Sequence, residues 1–245
     1  MSFWTIGLLL ANLFLVVVVI ALPLGLRTTR RTIRIKASPA SVWQTLYPLG
    51  ERAGFDDEIV ASREIEPGKA WLSYAWRGRD DRPIERLAAF EDVVAEARYT
   101  MRVIDDTSLD PTFWRHFSER VTLTPVDGGQ GTEVALAQTD RYRGAAFYIF
   151  RHFALRRRMQ RLKDWLETGK VVKSRLTFEH PLSQVGFATI SALLLWPLFG
   201  LTQGGLMAAA LLTAVIALHE LGHVAAFRIA GHRSARMIFI PLLGG

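Results

Sequence analysis

The sequence predicts a multi-domain membrane protein, with three transmembrane helices around one α+β soluble domain. Three observations carry this. Half of the 245 residues are hydrophobic, yet they crowd into both ends and leave a middle with ordinary soluble patterning. The basic flanks of the apolar runs all fall on one side if every run spans. Between the first two runs, strand-like alternation gives way to one long stretch at helical spacing.

Residues 3–26 are uncharged and long enough to cross a bilayer. A cleaved signal peptide needs a basic start and a shorter apolar core. Here the charges follow the run, at Arg27, Arg30, Arg31, Arg34 and Lys36. An uncleaved anchor is expected, its N-terminus outside and its basic end cytoplasmic. Phe3 and Trp4 suit the outer interface.

The soluble domain is expected over residues 28–169. Thr32-Ile33-Arg34-Ile35-Lys36 alternates like a strand, and Ser38-Pro39 supplies an N-cap and first-turn proline for a helix through Val42, Trp43 and Leu46. Strand-like runs follow at 70–76, 84–90 and 98–103. Residues 119–125 and 132–137 flank an Asp127-Gly128-Gly129 turn and predict a hairpin. A helix over 144–167 carries Phe147, Phe150, Leu155, Met159, Leu162 and Leu166 at helical spacing.

Strand, short helix, antiparallel strands and a long final helix make a helix-grip pattern. The run Ala37-Ser38-Pro39-Ala40-Ser41-Val42-Trp43 and the run Glu119-Arg120-Val121-Thr122-Leu123-Thr124-Pro125 give this region its resemblance to the START-like, polyketide-cyclase superfamily. That resemblance implies an apolar cavity between sheet and long helix, and so a hydrophobic ligand.

A second apolar run covers 185–201, after Lys170, Lys173 and Arg175. Thr202-Gln203-Gly204-Gly205 makes a turn, and the third run covers 205–227, before Arg228, Arg233 and Arg236. This order puts the soluble domain in the cytoplasm, and the expected location is the cytoplasmic membrane of a prokaryote. The net charge of +7 is thereby explained as membrane flanks, and nucleic acid is not an expected partner. The chain has no cysteine, which excludes disulfides and thiolate ligands.

Within the third run stands His219-Glu220-Leu221-Gly222-His223. Histidines four apart share a helix face and can reach one metal ion, while Glu220 can hold a water beside it. Ionisable groups at membrane depth are costly and functional by default. The pattern points to zinc-assisted peptide hydrolysis within the bilayer, nearer the cytoplasmic face.

This motif, with Arg228-Ile229-Ala230-Gly231-His232 and Ile238-Phe239-Ile240-Pro241-Leu242-Leu243-Gly244-Gly245, resembles the site-2 protease family of intramembrane zinc metalloproteases. The resemblance implies zinc ligands at His219 and His223, a general base at Glu220, and a transmembrane protein substrate. The family takes a third ligand, an aspartate, from a later helix. No Asp or Glu follows His223 here, and His232 reads as a cytoplasmic surface residue. The expectation is either a chain that continues past Gly245 or an inactive form, with truncation favoured.

The alternative is a membrane-tethered module that binds a lipid or other hydrophobic ligand beside an inactive protease half. A combination, with ligand occupancy gating the protease, stays open as well. Elsewhere, His116 and His152 read as structural, and Asp56-Asp57-Glu58 and Asp80-Asp81 as solvated loops. Arg151, Arg156, Arg157, Arg158, Arg161 and Lys163 read either as a solvated face or as a contact for anionic lipid headgroups.

Overall fold

The computed structural model describes residues 3–49, 59–78, 82–170 and 181–231. The chain divides into two compact units. One is Val19–Val172; the other joins Met1–Val18 to Lys173–Gly245.

The first unit holds a seven-stranded antiparallel sheet in the order β1-β7-β6-β5-β4-β3-β2. Its strands are β1 (Pro23–Ile35), β2 (Ile59–Glu66), β3 (Lys69–Arg77), β4 (Pro83–Val94), β5 (Arg98–Asp106), β6 (Ser118–Val126) and β7 (Gly131–Arg143). The β6–β7 turn falls on Asp127–Gly129, where Gly128 takes φ 68°. Helix α2 (Pro39–Leu46) starts on the Ser38 cap, whose hydroxyl accepts from the Ser41 N–H at 3.3 Å. Helix α3 (Ala145–Thr168) ends at Gly169, which adopts the left-handed conformation.

Four bonds lay α3 along β1, both running the same way. The Gly144 N–H donates to the Leu22 carbonyl at 2.8 Å. Arg31 Nη2 meets His152 Nε2 at 2.6 Å. Lys163 Nζ donates to the Arg34 carbonyl at 3.1 Å, and the Lys36 N–H donates to Glu167 Oε1 at 2.9 Å. Leu155, Met159 and Leu162 thereby press onto the inner face of the sheet. This is a helix-grip arrangement, an antiparallel sheet packed around one long helix. Its core includes Ile35, Leu72, Phe90, Tyr99, Val121, Val134 and Leu136. At the C-terminal end of α2, Trp43 stacks on Tyr47 with ring centroids 4.6 Å apart, and the Tyr99 hydroxyl donates to the Leu46 carbonyl at 3.2 Å.

Gly144 joins β7 to α3 at φ 75°, and a Cβ there would lie 2.5 Å from the carbonyl oxygens of Val19 and Ile20. Gly144→Ala should therefore destabilise this unit by about 1–3 kcal/mol, from left-handed strain and overpacking together. A thermal melt of the full chain checks this; an unchanged midpoint contradicts it.

The second unit holds α1 (Phe3–Ile20, which ends just inside the first unit), α4 (Pro181–Leu195) and α5 (Gln203–Ile229). Pro197 ends α4 in a 3-10 turn, Trp196–Phe199. Thr202 caps α5, its hydroxyl accepting from the Gly205 N–H at 3.0 Å. The Asn12 side chain of α1 donates to the Leu194 carbonyl of α4. Two segments, Leu182–Phe199 and Gln203–Ile229, are long and apolar enough to cross a membrane.

The first expected span needs correction. Its helix has 18 residues and stops at Ile20. Pro23 cannot continue a helix, because its ring clashes with the preceding turn and it has no N–H to donate. Residues 23–26 instead enter β1, where Pro23 pairs with Arg143 and Leu26 with Arg141. The basic run from Arg27 is a strand of the sheet. Strand β2 is an element that sequence reading passed over.

Candidate functional site

The strand register sets which side chains face α3. Across the sheet, Thr29, Gln138, Glu119, Met101 and Phe90 form one row; Arg31, Leu136, Val121 and Tyr99 form the next. The inner face is apolar toward α2 and polar toward its other end.

At the centre of the polar end lies Glu119, 2 % exposed. Its Oε2 accepts from Arg158 Nη1 of α3 at 2.7 Å and from Gln138 Nε2 at 2.6 Å. An ion pair is thus enclosed between sheet and helix. Two charges leave water there, and an unpaired partner would be strongly unfavourable. Arg31 Nε, on β1 beyond Gln138's strand β7, is buried with no hydrogen-bond partner among the described residues.

Beside this pair, Arg86 lies between two rings, 4.3 Å from the Tyr74 centroid and 4.4 Å from that of Trp114. Asp106 Oδ2 accepts from Arg86 Nε at 2.8 Å and from Trp114 Nε1 at 3.0 Å. Its Oδ1 accepts from the N–H groups of Ser108 and Leu109. Burial raises the Tyr74 hydroxyl above its ordinary pKa, with Arg86 opposing the shift, so this phenol stays protonated at neutral pH. Trp76 and Phe113, both exposed, stand at the rim of this end.

Sequence reading placed Arg158 on a basic helix face, Glu119 in a strand-like run and Arg31 in a membrane flank, and it did not join them into an enclosed polar site, although the signal was present. Glu119 shares strand parity with Val121 and Leu123, and Gln138 with Leu136 and Val134. Arg158 shares a helix face with Leu155, Met159 and Leu162. A polar side chain at an inward position is the informative deviation.

The metal motif lies on α5, in the other unit. His219 and His223 come together as expected, their Nε2 atoms 3.0 Å apart and their rings at 88°. Two imidazoles on one tetrahedral zinc, with bonds of about 2.0–2.1 Å, need a separation of about 3.3 Å. At 3.0 Å the two nitrogens lie closer than that, within hydrogen-bonding distance of each other. Glu220 sits one position along, toward the face of Ala209 and Thr213. Among the described residues no group of three or more His, Cys, Asp or Glu converges. His232 and the segment 238–245 lie outside the described residues, as do Asp56-Asp57-Glu58 and Asp80-Asp81.

His152 Nε2 lies 2.6 Å from Arg31 Nη2, between α3 and β1. His116 lies near Asp140, whose carboxyl is held above its ordinary pKa by burial. The basic face of α3 is partly spoken for: Arg158 binds Glu119, Arg151 lies 3.9 Å from Asp140, and Lys163 lies 3.8 Å from Glu167.

No family model matches the chain, and no curated protein does. Solved structures do. A START superfamily protein from Mycobacterium smegmatis is 12% identical, with a TM-score of 0.42 over 58% of this chain and 99% of its own. The Aha1 dimer from Colwellia psychrerythraea is 17% identical, with a TM-score of 0.46 over 59% of this chain and 98% of its own. At such identities and scores these likenesses carry nothing about chemistry; the helix grip stands on the strand order and on the bonds along α3.

Proposed function

We propose that the chain is a membrane-tethered helix-grip module whose interior binds an amphiphile. The observation that carries this reading is the enclosed Glu119–Arg158–Gln138 cluster, with the Arg86–Asp106 pair beside it, at one end of an interior that is apolar toward α2. Ligand sites are mostly apolar, with a few placed polar groups that fix orientation. Here the apolar end, with Tyr99, Val121 and Leu136, suits a hydrocarbon body. The polar end, where the neutral Tyr74 hydroxyl stands beside the Glu119–Arg158 and Asp106–Arg86 pairs, suits an uncharged hydroxyl head. The apolar helices α1, α4 and α5 serve as the tether, with the domain on the cytoplasmic side.

A fluorescent fatty acid added to the full chain tests this. Binding of one per chain, with emission excited through Trp43 and Trp114, is expected. Emission no greater than in detergent alone contradicts it.

The histidine pair supports a second reading: α5 contributes two ligands of a zinc peptidase site. His219 and His223 would hold the metal through Nε2, and Glu220 would accept a proton from the attacking water. Zinc, when bound, supplies the Lewis acidity that makes water nucleophilic at neutral pH. The substrate class on this reading is a transmembrane segment of another protein.

A further inference from the structure

Arg31 points inward from β1, the edge strand of the sheet, on the same side as Thr29 and Ile35. The carboxylates of this end pair elsewhere: Glu119 with Arg158, and Asp140 with Arg151 at 3.9 Å. Among the described residues Arg31 has no carboxylate partner; its Nη2 meets His152 Nε2 of α3 at 2.6 Å. A guanidinium can only donate, so this ring nitrogen accepts. His152 is therefore neutral, and the Arg31–His152 pair keeps one full positive charge.

Beside it lie three buried polar atoms with no hydrogen-bond partner among the described residues: Arg31 Nε, Thr29 Oγ1 and Tyr142 Oη. Thr29 is 1% exposed and Tyr142 5%. Tyr142 lies on β7, next to β1, its ring edge-on to Tyr148 with centroids 5.2 Å apart. Its hydroxyl approaches Thr29 and Arg151, and burial holds its pKa above the ordinary value, so it remains a donor at neutral pH. A buried polar atom left unpaired is unfavourable. Three donors around one uncompensated positive charge have a common complement, an oxygen anion. Charge decides its class: a carboxylate brings one negative charge, whereas a phosphate monoester at neutral pH brings about 1.5–2.

We propose that Arg31, Thr29 and Tyr142 form a carboxylate-binding site at the α3–β1 seam, with the guanidinium held in place by His152. Arg31 and His152 are both half-buried, so the acid enters from the seam, at the edge of the sheet. It pairs first with the guanidinium, and the covered Nε and hydroxyls become its donors as the seam parts. The carboxylate comes either from a free acid or from the head of a lipid whose chain runs into the apolar interior. Four strands lie between β1 and Tyr74's strand β3, so failure of this site leaves the amphiphile reading in place.

Butanoate and dodecanoate, each labelled with carbon-13 at the carboxyl, are titrated into the full chain in non-ionic detergent, with dodecanol as the uncharged competitor. Saturable binding is expected, with the bound carboxyl titrating below that of the free acid. Arg31→Met should weaken it by about 10–100-fold, and Thr29→Val/Tyr142→Phe by about tenfold, since hydrogen bonds to a charged group are the stronger ones. Binding of both acids assigns a free acid as the ligand; binding of dodecanoate alone assigns an acid-headed lipid. Dodecanol competing as strongly as dodecanoate itself overturns the proposal, as does equal affinity in the wild type and Arg31→Met, or no binding of either acid. If Arg31→Met fails to fold, the hydroxyl double variant decides, and unchanged affinity there overturns the site.

Discussion

Replacing Arg158 with methionine should destabilise the helix-grip unit by about 3–5 kcal/mol, because it leaves the Glu119 carboxylate enclosed and unpaired. Among the described residues, Gln138 Nε2 would then be its remaining hydrogen-bond donor. Hydrogen exchange reads the effect directly. Amides of β6 and β7 should exchange roughly 10²–10⁴ times faster, since their opening is coupled to global unfolding. The companion chain Glu119→Leu/Gln138→Leu/Arg158→Met should recover most of the loss, because an apolar replacement of similar volume has no charge to desolvate. If the single variant keeps native protection, the pair is wetter than its burial implies. If the triple variant fails to recover, the cluster contributes packing rather than electrostatics.

His219→Ala and His223→Ala should each reduce zinc affinity by more than the about 10–100-fold that loss of a second-shell partner brings. The pair shares one face of α5, so both losses should be of like size. Glu220→Gln should leave zinc affinity within severalfold while lowering peptide hydrolysis by about 10²–10⁴ in a form that cleaves, because glutamine keeps the shape but accepts no proton. Calorimetric zinc titration and imidazole resonances check the first point. Equal zinc binding by the wild type and the two alanine variants would show that the 3.0 Å approach is packing on a helix face.

Much of the architecture was legible before the fold. The β6–β7 hairpin followed from the alternation on either side of Asp127-Gly128-Gly129, and α3 from its apolar spacing. The histidine pair was legible because spacing on a helix fixes geometry. The end of the first apolar run was not. Residues 23–26 are uncharged like the helix before them, and only Pro23 and Gly25 mark the change to strand. The β1 arginines also mislead, since a basic run after an apolar one reads as a membrane flank. Strand β2 hides because only Ile59 along it is buried. The Glu119–Arg158 pair joins residues 39 positions apart. Parity places each side chain inward, but their meeting needs the crossing of α3 over the sheet.

The measurement that bears most directly on the amphiphile reading is extraction of the purified 245-residue chain, followed by mass spectrometry, beside the triple variant Glu119→Leu/Gln138→Leu/Arg158→Met. Lipids that merely surround the apolar helices should appear equally in both. A further amphiphile, about one per chain, should come from the wild type and be absent from the folded triple variant. Identical extracts from the two chains would contradict the account.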